Sequence, residues 1–317
     1  MGLNVAIVGC GRMGHQRARA ALKLGARVVA VHDPDAARAE ELAAAGGGAV
    51  VERWEDLELG PLDGVFVCTP PGARGPVEAS VLEAGVPLFV EKPIGLSAAH
   101  GAATLAILEG RTAITAVGYM NRYRPSVQAA RDALGGDVVL GLSGSWAGGR
   151  YAVPWWADEA RSGGPINEQA THLVDLARYL VGEITEVQAM AQVRGQGDGA
   201  GEAAAVSLRF ADGTLGSLLY SCQARRKAIG LQVIGRDARV CLEGWDFRLR
   251  GEDGRLFPEE EPERDQVFEL EVAAFLDAIR KGSTTPILSD FHDAMRTQRA
   301  VDAIRRALVS RRSEPVS

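Results

Sequence analysis

At 317 residues the chain is longer than a usual single hydrophobic core, so two domains are expected. Its 46% hydrophobic and 24% charged residues are those of an ordinary soluble protein, and no apolar run is long enough to span a bilayer, which argues against membrane insertion. A net charge of -6 leaves no sequence-wide basic field for nucleic acid. Four scattered cysteines without a C-x-x-C pair argue against a zinc site or a disulfide framework. The N-terminus reads as strand and glycine turn rather than a secretion signal, so the cytoplasm is the expected compartment.

Residues 3–9 read as a buried strand that runs into Gly9, Cys10, Gly11, Arg12, Met13 and Gly14, followed by a helical stretch over 13–24. This is strand, G-x-G-x-x-G, helix. The first glycine permits the turn, the second lets backbone approach a pyrophosphate, and the third lets helix and strand pack closely. A second strand at 27–32 ends at Asp33, nineteen residues beyond Gly14, where an acid that bonds a ribose 2'-hydroxyl is expected; otherwise Asp33 is a turn residue before Pro34. An acid there repels a 2'-phosphate, which favours NAD, whereas Arg38 on the next helix offsets that preference and leaves NADP open.

Strand and helix then alternate: a helix at 34–45, a strand at 49–51, a strand at 64–68 and a helix at 77–83. A strand at 88–90, a helix at 97–108 and a strand at 112–117 follow. The alternation predicts an N-terminal Rossmann domain over 1–121, an α/β fold with a doubly wound parallel sheet. Ligands of such a sheet lie beyond the carboxyl ends of its strands. Thr69, Pro70, Glu91, Lys92, Tyr119 and Asn121 fall at those ends and are expected around the cofactor.

Beyond residue 121 the pattern changes. After a helix at 126–134, strands dominate at 138–146, 186–193, 203–210, 213–221, 229–234 and 238–242. A hairpin turn is expected at Ala211-Asp212-Gly213-Thr214, a glycine-rich loop at 194–202, and closing helices at 265–281 and 289–310. This predicts a C-terminal α+β domain over 122–317 with a large, mostly antiparallel open sheet, whose exposed face suits a homodimer or homotetramer.

A second dense stretch runs from Ser162 to Leu176. Its glycines and proline form an entry turn, and Leu173, Leu176 and Leu180 mark one core face of a helix. If helix already runs from Glu168, that acid and His172 stand four apart and project from one side. Oxidising an alcohol requires a base for the hydroxyl proton and a cation for the developing alkoxide. Imidazole at His172, the ammonium of Lys92 and the carboxylate of Glu168 supply those parts without a metal; equally, His172 can be a helix histidine bonded to Glu168. Asn121 and Arg122 are candidates for binding hydroxyls or a carboxylate, or for a salt bridge at a domain junction. Trp155 and Trp156 can stack on a sugar ring or pack in the core, as can Tyr151, while Asp175 can contact substrate or serve its own helix. Arg225, Arg226 and Lys227 can meet an anionic substituent or form a solvated strand end.

Together GCGRMG, Asp33, CTPP at 68–71, EKP at 91–93, GYMNRYRP at 118–125 and QATHLVDL at 169–176 resemble the glucose-fructose oxidoreductase, inositol dehydrogenase and MocA family (Gfo/Idh/MocA) over nearly the whole chain. The resemblance implies an NAD(P)-dependent oxidoreductase acting on a sugar, inositol or related polyol. It puts Lys92 beside the nicotinamide and the substrate hydroxyl, with His172 as base and Glu168 as its neighbouring acid, where many members have aspartate. It also implies oligomers formed through the C-terminal sheet. Relatives that retain NAD and cleave glycosides by transient oxidation, and non-catalytic dinucleotide-binding regulators, are the alternative readings.

Overall fold

The computed structural model describes residues 2–192, 203–251, 256–258 and 262–317. The glycine-rich loop expected at 194–202 lies outside them. Two compact units divide the chain, one of Met1–Met120 with Glu263–Met295 and the other of Asn121–Pro262 with Arg296–Ser317.

The first unit holds strands β1 (Asn4–Val8), β2 (Arg27–His32), β3 (Ala49–Val50), β4 (Gly64–Val67), β5 (Leu88–Val90) and β6 (Thr115–Val117). Between them lie helices α1 (Arg12–Lys23), α2 (Ala36–Gly46), α3 (Pro76–Glu83) and α4 (Ala98–Leu108). The strands form one parallel sheet in the order β3-β2-β1-β4-β5-β6. β4 and β5 are apolar and buried on both faces, as a sheet covered on both sides requires. Register aligns Val8 with His32 and Val67, Val67 with Val90, and Val90 with Val117. The residues that follow these strands therefore gather at one edge, because all the strands point the same way.

Assigning all of 122–317 to a second domain needs correction. The helix Arg264–Lys281 returns to the first unit, where Val272, Phe275 and Leu276 share an apolar cluster with Ile7, Phe66 and Phe89. Phe275 meets Phe66 and Phe89 edge-on, at centroid distances of 5.2 and 5.6 Å. Beside this cluster Arg17 of α1 is fully buried, 2.6 Å from Glu91 Oε1 and 2.6 Å from Glu271 Oε2. Burial opposes its charge, but the Glu271 and Glu91 carboxylates outweigh that and raise its pKa above the ordinary arginine value. The hydrophobic pattern of residues 264–281 shows a helix but not which sheet it covers.

The second unit contains α5 (Pro125–Leu134), β7 (Val139–Ala147), α6 (Glu159–Ser162) and α7 (Thr171–Val181). Then come β8 (Ile184–Gln192), β9 (Ala203–Phe210), β10 (Leu215–Ser221), β11 (Ala228–Gly235), β12 (Arg239–Glu243), β13 (Arg248–Arg250) and β14 (Leu256–Phe257). The returning helix is α8; α9 (Phe291–Ser310) and β15 (Glu314–Pro315) follow it. The strands among the described residues form one sheet in the order β14-β13-β12-β11-β7-β10-β9-β8-β15. Its pairs are antiparallel except β7 with β10. Alternation along β9 puts Ala204, Val206, Leu208 and Phe210 in the core, whereas Leu140, Met190, Leu215 and Leu219 are exposed. The expected hairpin joins β9 to β10, with Asp212 Oδ1 accepting from the Thr214 amide at 2.9 Å.

Replacing Arg17 by Met leaves two buried carboxylates without the guanidinium between them and should cost about 3–5 kcal/mol. Glu271→Gln retains a balanced Arg17–Glu91 pair and should cost about 1 kcal/mol. Urea unfolding of the two variants tests this ordering; equal losses would refute it.

Candidate functional site

Gly9 has φ +96°, in the left-handed region that glycine tolerates, and a Cβ there would lie 2.7 Å from Cys68 C and Thr69 N. At Gly14 a Cβ would lie 2.1 Å from Gly9 O, so backbone packing alone demands glycine at both positions. Gly11 differs, because a Cβ there meets nothing within 4 Å. Packing among the described residues gives no reason for that glycine, whereas a pyrophosphate approaching the backbone does. Gly11 caps α1 with no side-chain hydrogen bond, and the first turn, which carries Arg12 and Met13, has no acid. Its N–H groups and dipole thus suit a phosphate.

Asp33, directly after β2, braces this turn. Its Oδ2 accepts from the Cys10 amide at 2.8 Å and its Oδ1 from the Asp35 amide at 2.9 Å. Burial, then the Asp33 carboxylate, push the Cys10 thiol up to about 12, so it remains protonated at neutral pH. Arg38 is exposed and pairs with Asp35 at 3.2 Å.

At the ends of β4 and β5 stand Thr69, Pro70, Glu91 and Lys92. Arg74, a buried residue that the sequence reading missed, joins the two ends. Its guanidinium donates to Thr69 O at 2.6 Å, to Pro93 O at 3.0 Å and to Glu91 O. Only its proximity to the CTPP motif could have signalled it. The Glu91 carboxylate, expected to face the cofactor, instead accepts from Arg17 Nε at 2.6 Å, and so anchors the backbone that carries Lys92. Thr69 Oγ1 is buried with no hydrogen-bond partner among the described residues. An orphaned hydroxyl at a strand end beside the open glycine turn fits a dinucleotide, with Gly9, Gly11, Arg12, Met13, Gly14, Asp33, Thr69 and Pro70 available to hold it. Tyr119 is buried in this unit's core rather than presented at the edge.

The second unit carries the acid and the imidazole. Residues Ile166–Ala170, Glu168 among them, form a π-helical turn, and α7 begins only at Thr171. The assumption of continuous α-helix from Glu168 is therefore corrected. The wider turn is held by side chains: Asn167 Nδ2 donates to Ser162 O at 2.9 Å, Gln298 Nε2 to Asn167 Oδ1 at 2.8 Å, and Tyr220 Oη to Gln169 Oε1 at 2.7 Å. Gly163, at φ +75°, could not bear a side chain, since its Cβ would lie 2.5 Å from Asn167 Nδ2. π turns concentrate at functional sites. Glu168 and His172 are both 3% exposed. The His172 ring stacks on Trp146 of β7, with centroids 5.4 Å apart and planes 12° apart.

α7 is buried from Thr171 through Arg178 rather than along one face, because polar partners cover its other side. Arg122 grips Asp175 with two bonds, Nε to Oδ2 at 2.9 Å and Nη2 to Oδ1 at 2.6 Å, and Thr297 Oγ1 donates to Asp175 Oδ1 at 3.0 Å. This salt bridge lies within the second unit, not at a junction, and Asp175 serves Arg122 rather than its own helix. Asn121, assigned to cofactor and substrate, is buried with its Oδ1 accepting from Arg124 Nε at 2.9 Å. Trp156 lies in the core at 1% exposure beside Tyr151, whereas Trp155 keeps some exposed surface. The structure thus gathers the glycine turn, Asp33, Thr69, Pro70 and Lys92 in one unit, and Glu168, His172 and Arg122 in the other. Among the described residues no cluster of His, Cys, Asp and Glu could hold a metal ion.

Comparison with known proteins agrees with both halves. Residues 3–119 match the model of the oxidoreductase family with an NAD-binding Rossmann fold, and residues 133–241 match that of the GFO/IDH/MocA C-terminal domain. The chain belongs to the Gfo/Idh/MocA family. It is 26% identical over 309 residues to the scyllo-inositol 2-dehydrogenase (NAD(+)) of Bacillus subtilis (strain 168), across 90% of this chain and 88% of that protein. With the inositol 2-dehydrogenase of Rhizobium meliloti (strain 1021) it shares 29% identity over 301 residues, covering 92% of this chain and 83% of the relative. A levoglucosan dehydrogenase solved with NADH shares the fold, with a TM-score of 0.89 and 20% identity over 100% of both chains.

Replacing Thr69 by Val removes a hydroxyl that no group among the described residues satisfies. Thermal stability without ligand should be unchanged or higher, while NAD affinity should fall roughly fivefold, the loss of one hydrogen bond. Calorimetric titration with NAD and a melting curve check both parts.

Proposed function

We propose that this member of the Gfo/Idh/MocA family is an NAD-dependent dehydrogenase that oxidises a CH–OH group of a sugar, inositol or related polyol, or reduces the matching carbonyl. The observation that carries the reading is Lys92, held by the bonds from Arg74 and Arg17 at the same strand edge as a glycine turn suited to a dinucleotide. The full-length relatives that are inositol 2-dehydrogenases support the substrate class.

NAD, when bound, supplies the hydride acceptor. The chain supplies the remaining chemistry. His172 takes the hydroxyl proton, the general-base role for which an imidazole ring nitrogen is suited. The Lys92 ammonium stabilises negative charge on the substrate oxygen. Glu168 orients the imidazole or bonds a neighbouring hydroxyl, and the Arg122–Asp175 pair fixes the helix that carries His172. Anchored negative charge at Asp33 favours a ribose hydroxyl over a 2'-phosphate, and hence NAD over NADP. The exposed apolar residues Leu140, Met190, Leu215 and Leu219 on the large sheet support a homodimer or homotetramer.

Ala in place of Lys92 or His172 should lower turnover at least about a hundredfold, with NAD affinity nearly unchanged. Absorbance of reduced nicotinamide, followed across inositols, aldoses and sugar acids, measures this; normal turnover in either variant refutes the mechanism. In the same assay Asp33→Ala should shrink the preference for NAD over NADP, and an unchanged ratio would clear Asp33 of that role.

A further inference from the structure

The His172 imidazole is the inner end of an aromatic relay. Its ring stacks on Trp146, Trp146 meets Trp245 edge-on at 5.3 Å, and Lys227 Nζ lies 4.0 Å above the Trp245 ring. A second link starts from the π turn beside Glu168, where Gln169 Nε2 donates to Gly149 O at 3.1 Å, one residue before Arg150. The two segments reached by these links form one rim. The Gly148 amide donates to Ser221 O at 2.9 Å, and the Ala224 amide donates to Gly148 O at 3.1 Å. Ala147 of β7 pairs with Ser221 of β10 and Ala228 of β11, so residues 148–150 and 222–227 leave the sheet at the same end.

That rim carries Arg150, Arg225, Arg226 and Lys227, all exposed. Arg225 and Arg226 form no ion pair with another described residue, unlike three exposed arginines elsewhere: Arg19 with Asp265, Arg209 with Glu186 and Arg250 with Glu243. Asp246, next to Trp245 in sequence, pairs with Arg124 at 3.7 Å. Three consecutive like charges repel one another and contribute little to folding. In a chain of net charge -6 they nevertheless lie together at the end of the relay from His172.

We propose that the substrate is an anionic sugar or polyol derivative, whose carboxylate or phosphate ester is held by Arg150, Arg225, Arg226 and Lys227 while a carbinol elsewhere on the molecule lies at His172. This rests on His172 being part of the substrate site. Guanidinium groups bind carboxylate and phosphate through paired hydrogen bonds, and an exposed cationic rim draws such ligands in from solution.

The test uses the full chain with NAD and matched substrates: D-glucose against D-glucuronate and D-glucose 6-phosphate, and myo-inositol against myo-inositol 1-phosphate. The carboxylate and phosphate arms show which anion is meant. At least one anionic member should exceed its neutral partner in kcat/KM by about tenfold, and the advantage should shrink in about 0.5 M salt. In the double variant Arg225→Ala, Arg226→Ala the ratio of anionic to neutral kcat/KM should fall by a similar factor. Turnover without an anionic advantage, or with one that the double variant keeps, overturns the proposal and leaves the dehydrogenase reading standing. If no sugar reduces NAD, titration of tryptophan fluorescence with the same panel decides. Anion-selective binding that the double variant loses supports the rim and counts against the dehydrogenase, and binding without charge selectivity, or none, overturns the rim.

Discussion

A single buried guanidinium ties three segments of the first unit to one another. Arg17 projects from the helix that follows the glycine turn and lies between Glu91, at the end of β5, and Glu271, on α8. Three segments far apart in sequence therefore meet at one charge that water cannot screen. Breaking such a contact exposes the cost of every charge in it, which gives the position of the Lys92 turn little freedom. Arg74 adds a second brace by bonding three carbonyl oxygens across the ends of β4 and β5. The backbone on both sides of Lys92 is fixed by residues that carry none of the proposed chemistry.

The second unit solves a related problem differently. Its acid and imidazole lie on a π turn and the start of α7, where an ordinary helix would be more stable. The turn persists because Asn167 and Gln169 are bonded to Ser162, Gln298, Gly149 and Tyr220. Tyr220 is a poor acid in this setting, since burial pushes its pKa well up, so its hydroxyl remains a donor. Below the imidazole the Arg122–Asp175–Thr297 network locks the next turn of the helix.

Much of this was legible in the sequence because it is local. The glycine turn, the alternation of strands and helices and the Asp-Gly hairpin each follow from a few adjacent residues. So did the family, from EKP and the histidine helix. What escaped depends on contacts between distant residues. Nothing in residues 264–281 says that their apolar face covers the parallel sheet. A run that reads as α-helix does not reveal that side chains from β10 and α9 hold one turn of it open. Glu91 and Asn121 were placed at the site by their position at strand ends, yet both side chains bond arginines, a choice made by packing rather than by spacing.

The return of α8 to the first unit also orders events during synthesis. A ribosome releases the parallel-sheet strands early, but Phe66 and Phe89 lack Phe275, and Arg17 lacks Glu271, until the intervening α+β unit has emerged. The nucleotide-binding half is first in sequence and among the last parts to be completed. A fragment ending near residue 121 would therefore be a sheet with an uncovered aromatic face rather than an independent domain.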